Sequence, residues 1–343
     1  MSEFINRPLS RRGFLGGATV AAGLGLTACG GGQQKAAEAP SGKEGGGTIT
    51  AGTAYSTQNY DPSTTSSALA LGVNWQVVEG LYGLNFHDYS TFNELATADP
   101  KKVDDNTFEI TIRDGAKFSD GNEVKADDVV ESFNRSAAKG SVYVPMLSPI
   151  ASVEKKDDKT VTVKTTIANF SLLKERLSIV RVVPASSSQD EMKKQPVGSG
   201  PWQFESISDN TLDLVPNKNY NGATPAKDEK LHYDVLKDPT ARLTAQQDGT
   251  TLAMEMVPAD AVDQLKGAGC TVDAVQGFGV RFAMFNLGKA PWDNVKVRQA
   301  CLYALDTDKM LANAFSGQAE VATSYLPSSF ANYHKASTVY AHD

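Results

Sequence analysis

Cys29 closes the run Leu26-Thr27-Ala28, at the end of an opening segment that starts basic and turns weakly apolar. Small residues before a cysteine let a peptidase approach the backbone, and the pattern looks like a bacterial lipobox. It predicts a thiol that carries diacylglycerol, cleavage before Cys29, and a membrane hold made by several acyl chains together. Upstream, Ser10-Arg11-Arg12-Gly13-Phe14-Leu15 resembles a twin-arginine export motif. Gly13, Gly16, Gly17, Gly23 and Gly25 keep the following core only mildly hydrophobic, which suits that route; the general secretory route is the alternative. The run from Gly13 to Ala28, about 16 residues, is too short and glycine-rich to span a bilayer stably.

A second kind of chemistry is the holding of a polar ligand. Tyr55, Ser56 and Thr57 follow the first alternating run of the chain, and Phe285-Asn286 lies near the end of a later one. Loops at strand ends line the crevice of an open α/β sheet, so these five residues are the candidate ligand contacts. Asn286 is the most suggestive, because an amide at the end of an apolar strand needs partners. Trp75 and Phe285 also read as core residues.

Covalent catalysis finds no comparable support. His87, His232, His334 and His342 lie far apart, with no H-E-x-x-H, and no serine sits in a nucleophile elbow. Cys29, Cys270 and Cys301 form no C-x-x-C, and no closely spaced ligands for a structural zinc exist. No metal or cofactor is expected. A Cys270–Cys301 disulfide is left open by an oxidising compartment, although Cys301 shares a helical face with Val297 and Leu305 and reads as a buried thiol. The net charge of −7, with acids and bases interleaved, offers no basic stripe and excludes a nucleic-acid partner.

The elements that must position these residues alternate between strand and helix. Thr48 to Tyr55 predicts a strand. Leu71, Trp75 and Val78 predict one apolar helical face. Phe108, Ile110 and Ile112 alternate with polar residues and predict a strand ending at the turn Asp114-Gly115. Asp127 and Asp128 open a helix with Val129 and Phe133 on its core side, where acids suit the helix dipole. Val161 and Val163 predict a strand paired, through a turn at Asp157-Asp158, with the one holding Val153. Leu231 to Leu236 and Val280 to Leu287 predict further strands. A helix from Thr240 should stop at Gly249, and Asn294–Ala304 and Asp306–Ala314 predict consecutive helices with Asp306 as a cap. Gly30 to Gly47 has no apolar periodicity and reads as a flexible tether.

Five fragments then occur in a telling order: Glu79-Gly80-Leu81; Arg113-Asp114-Gly115-Ala116-Lys117-Phe118-Ser119-Asp120-Gly121 with Ala126-Asp127-Asp128-Val129; Pro196-Val197-Gly198-Ser199-Gly200-Pro201-Trp202; Phe285-Asn286; and Val297-Arg298-Gln299-Ala300. From about Gly47 to about Pro327 the chain resembles the family 5 extracellular solute-binding proteins, which capture dipeptides and oligopeptides for ABC importers. The resemblance implies an α/β, class II periplasmic-binding-protein-like bilobal fold that closes on its ligand, with an inserted extra domain. It implies residues 1–28 as signal peptide, 29–47 as lipidated cysteine and tether, 48–80 plus 198–270 as first lobe, 81–197 as inserted domain, and 271–343 as a partial second lobe. It also implies a monomer anchored on the outer side of the bacterial cell membrane that hands a peptide or related small solute to permease subunits; a lipid-anchored sensor or non-transporting fragment is the alternative. The chain is expected to be C-terminally truncated relative to the family, whose residues gripping the ligand termini are expected beyond Asp343. Gly198-Ser199-Gly200-Pro201 reads as a crossover where glycine permits unusual backbone angles. Lys125, where relatives often carry threonine, should leave its helix without a side-chain cap.

Overall fold

The computed structural model describes residues 46–315, 318–330 and 332–343. Arg11, Arg12 and Cys29 lie outside the described residues. The elements are, in order, β1 (Thr48–Thr53), α1 (Ala68–Val77), β2 (Tyr82–Leu84), β3 (Thr91–Asn93), β4 (Lys101–Lys102), β5 (Thr107–Thr111), α2 (Ala126–Ala137) and α3 (Val144–Leu147). There follow β6 (Ile150–Lys155), β7 (Thr160–Thr165), α4 (Leu173–Leu177), α5 (Gln189–Lys194), β8 (Trp202–Ile207), β9 (Thr211–Pro216) and β10 (Lys230–Val235). The last are α6 (Pro239–Gln247), β11 (Ala253–Met254), α7 (Val262–Gly267), α8 (Val295–Tyr303) and α9 (Thr307–Phe315). No helix among the described residues is long and apolar enough to cross a membrane.

A five-stranded sheet runs in the order β11-β1-β10-β9-β8. β1 lies parallel to both neighbours, with Thr53 opposite Val235 on one side and Ala51 opposite Ala253 on the other. β10, β9 and β8 continue antiparallel. α1 buries Leu69, Ala70, Val73 and Val77 beside Phe204, Leu212 and Leu214 of this sheet. Of the face expected from Leu71, Trp75 and Val78, only Val78 is fully buried. The helix is apolar almost all round, so spacing alone does not choose a face, and tertiary contact does. α6 stops as expected: Gly249 takes a left-handed φ of 79° just past the helix, where a side chain would be strained.

A four-stranded antiparallel sheet, β4-β5-β7-β6, carries the other core. Phe108, Ile110 and Ile112 are buried from β5 and its end, Val161 and Val163 from β7, and Val153 from β6, which pairs directly with Val163. α2 lies across this sheet on Val129 and Phe133. Lys125 is its N-cap and donates its backbone N–H to Asp128 at 2.8 Å. An ammonium has no acceptor lone pair, so the reciprocal bond from the lysine side chain is missing.

The chain returns from the second core to the first through Gly198 and Gly200. Neither takes a positive φ, contrary to the expected need for unusual angles. They are glycines because a Cβ would lie 2.0 Å from the Val77 carbonyl oxygen at Gly198 and 2.5 Å from the Gln76 oxygen at Gly200. The crossing runs against the last turn of α1, and Gly200 N–H donates to Val77 O at 2.8 Å.

After Gly269 the pattern changes. Val280 to Leu287 is irregular backbone and not the expected strand, because no other strand among the described residues offers it a ladder. α8 and α9 form as expected, with Asn294 accepting from Lys296 N–H at 2.9 Å and Asp306 from Lys309 N–H at 3.0 Å. Cys301 is only half-buried, since α8 has no fully buried residue, and Cys270 and Cys301 are both free thiols.

Candidate functional site

β1 sits at the switch point of its sheet: the chain reaches β10 on one side of it and β11 on the other. A crevice therefore opens beyond the carboxyl ends of these parallel strands, the place where open α/β sheets take ligands. There a cavity of about 280 Å³ is floored by Leu69, Gly72 and Val73 of α1 and walled by Thr53, Tyr233 and Glu255. Thr53 Oγ donates to Glu255 Oε1 at 2.5 Å, and Ala54 N–H donates to the same oxygen at 3.2 Å. Gln76 Nε2 donates to the Tyr233 hydroxyl at 2.8 Å. Burial pushes the Tyr233 phenol up, only partly offset by the Gln76 bond, so it stays a neutral donor.

Two features position the walls. Arg242, on α6 and buried, donates to the carbonyl oxygens of Leu236 at 2.6 Å, Lys237 at 2.9 Å and Met256 at 3.3 Å. It thus ties the end of β10 to the end of β11. Met256, next to Glu255, holds a left-handed φ of 54°, a conformation that a non-glycine residue keeps only where its surroundings fix it.

Tyr55, Ser56 and Thr57 follow directly from this site. Tyr55 N–H donates to Thr53 Oγ at 3.2 Å, and Thr57 Oγ caps the turn at Asn59. Tyr55 and Ser56 are exposed. Phe285 and Asn286 are not brought to them: no hydrogen bond or ring contact among the described residues joins the two groups. Phe285 lies against Trp292, ring centroids 5.1 Å apart, and the exposed Asn286 accepts from Gly288 N–H at 3.1 Å within its own turn. Glu255, Tyr233, Gln76 and Arg242 escaped the sequence reading. Glu255 stands 202 residues from the threonine that holds it, and no local spacing announces such a pair.

A larger cleft of about 490 Å³ lies elsewhere, around Asp61, Arg135 and Ser188. Two of its charged groups are already engaged. Asp61 accepts from Ser63 and Thr64, and Arg135 spends its three nitrogens on Glu131, the Met192 sulfur and Ala185 O.

The family-like fragment Glu79-Gly80-Leu81 proves to be part of a buried charge lattice. Arg113 holds Glu79 through two parallel bonds of 2.9 and 2.8 Å, and Arg181 holds Glu94 at 2.8 Å. The Arg181 guanidinium also lies 3.2 Å above the Trp75 ring. Burial raises the Glu79 carboxyl against the pull of Arg113. Arg113 Nε reaches Asn221, and Asn219 reaches the carbonyls of Phe118 and Ser119, so the lattice fastens the two sheets to each other.

The chain belongs to the bacterial extracellular solute-binding proteins, family 5, whose model matches residues 92–343. It is 31% identical over 293 residues to heme-binding protein A of Haemophilus influenzae, covering 76% of this chain and 53% of that protein. It is 28% identical over 281 residues to the glutathione-binding protein GsiB of Pectobacterium atrosepticum, covering 79% and 54%. The oligopeptide-binding protein AppA of Bacillus subtilis, solved with a nonapeptide, superposes with a TM-score of 0.74 at 21% identity, over 88% of this chain and 62% of that one. The fold is thus the mixed α/β, class II-like fold of this family. The chain spans about half the length of the curated relatives it matches.

Proposed function

We propose that this chain acts outside the cytoplasm as the solute-capturing component of an ABC importer, that it takes peptides, and that it passes them to membrane permease subunits without chemical change. The observation that carries the reading is the crevice beyond β1. It combines an apolar floor with a fixed carboxylate, a phenol and an amide. Tyr55, Ser56 and Thr57 would touch the ligand from the rim, and Phe285 and Asn286 from the opposing wall. Residues 48–80 plus 198–270 would form the first lobe, 81–197 the inserted domain and 271–343 part of the second. The charge lattice supports the first two moving as one body, with closure against the third. Cys29 would be the lipid-bearing N-terminus after export directed by Arg11 and Arg12, and the protein would work as a monomer on its anchor.

Native mass spectrometry of the purified chain with an equimolar pool of di- to nonapeptides tests the reading. Retention of peptides that a Tyr55→Ala/Thr57→Ala variant loses is the expected result. A chain that retains none at millimolar peptide would end it.

A further inference from the structure

The crevice contains a carboxylate that is held but not neutralised, and in this structure it is exposed to solvent. Thr53 Oγ–H and Ala54 N–H both bind Oε1 of Glu255, and Oε2 has no hydrogen-bond partner among the described residues. No lysine, arginine or histidine of the described residues pairs with it, although such pairs are frequent elsewhere on this chain, as at Lys155 and Lys230. The backbone beside it is strained at Met256 and braced by Arg242, so its placement is built. The floor that leads to it is apolar and open: a Cβ added at Gly72 would meet nothing within 4 Å.

We infer that this crevice selects a long cationic side chain, of the lysine or arginine type, with the aliphatic stem on Leu69, Gly72 and Val73 and the charged head on Glu255. The inference rests on the solute-binding reading and names the class of solute. Its physical basis is desolvation. A wall that closes over the crevice strips water from Glu255, and an unpaired buried carboxylate opposes closure unless the ligand brings the opposite charge. A lysine or arginine side chain supplies that charge on a stem that lies favourably along apolar surface.

The test uses the full chain and two tripeptides that differ in one charge, Ala-Lys-Ala and Ala-norleucine-Ala, measured by calorimetry. The wild type should prefer the lysine peptide by about tenfold or more, the scale of one charge-assisted bond. Glu255→Gln should abolish that preference. Gly72→Leu, which puts a side chain on the stem path at a position where an added Cβ meets nothing within 4 Å, should weaken the lysine peptide by a similar factor with no loss of thermal stability. Equal affinity for the two peptides in the wild type, or a preference that survives in Glu255→Gln, overturns the inference. Where neither peptide binds, the Glu255 carboxyl carbon, followed by NMR on glutamate-labelled protein during titration with argininamide, separates the two readings. A saturable shift leaves the cation site standing and removes peptide capture by this chain; no shift removes both.

Discussion

Val161 and Val163 of β7 stand two positions apart, the spacing that puts side chains on one face of a strand, and so do Phe282 and Met284, yet the valines are wholly buried while Phe282 is 72% and Met284 84% exposed. β7 has β5 on one side and β6 on the other, and their ladders satisfy its backbone while α2 covers one face. The segment from Val280 to Leu287 has no ladder among the described residues. Alternation states which face a strand would bury; only a partner decides whether there is a strand. The same division runs through the whole molecule. Residues 46–270 hold two buried cores and a charge lattice, whereas no described residue after Cys270 is fully buried.

The arginines give the sharpest way to break this comparison. Arg181 is buried, paired with Glu94 and stacked on Trp75, whereas Arg281 is exposed. Arg181→Ala should cost about 3–5 kcal/mol, because it leaves Glu94 as an uncompensated charge. Arg281→Ala should lie within about 0.5 kcal/mol of wild type. Urea unfolding measures both, and comparable losses would show that the later region is packed as firmly as the first.

A glycine pair sharpens it next. At Gly198 an added methyl would meet backbone, which cannot swing aside, so Gly198→Ala should destabilise by about 3 kcal/mol. At Gly279 nothing lies within 4 Å, and Gly279→Ala should be nearly neutral. A harmless Gly198→Ala would mean that the crossing against α1 is loose and that the two sheets are not fastened there. Smaller again is the removal of one methyl: Ile110→Val should cost about 1 kcal/mol, and Phe282→Ser, despite losing a whole ring, less than that. A larger cost for Phe282→Ser would assign it a packing partner in solution.

How much of this was legible in the sequence follows from the range of each interaction. β5, the β6–β7 hairpin, α2, α8, α9 and the stop at Gly249 are written locally, in alternation, caps and turn residues. The family fragments named the fold, but gave roles for few of its residues. The Glu79–Arg113 bond, the Arg181–Trp75 stack and the Thr53–Glu255 bond join residues 34 or more positions apart and left no periodic trace. The expected face of α1 failed for a different reason: its composition is apolar on nearly every side. Asn286 needs partners only if its run is a strand; without the strand its amide turns on its own loop.

The smallest expected effect is one of pH, and it probes the packed region alone. His232 lies on β10 between two carboxylates, Nδ1 2.7 Å from Asp213 and Nε2 3.3 Å from Asp234, with Lys230 paired to Asp213 and Glu205 beside them. Partial burial works against the imidazolium, but the bond to Asp213 and the charge of Asp234 outweigh it, and the net shift is upward. A group whose folded pKa is raised contributes stability that is fully present below its unfolded value, about 6.5, and that is lost as pH rises through the higher folded value. The contribution should stay below about 1 kcal/mol, since the three partners remain in contact with water. The urea midpoint of the wild type relative to His232→Gln should therefore be greatest below about pH 6.5 and shrink above it. Trp202 on β8 and Trp292 after the irregular segment supply separate reporters, read in variants that keep one of the two with Trp75 replaced by Phe. The pH-dependent difference should appear at Trp202, which shares its sheet with His232, and be absent at Trp292. The same difference at both would mean that the two regions unfold as one cooperative unit, so that the contrast in burial between them carries no contrast in stability.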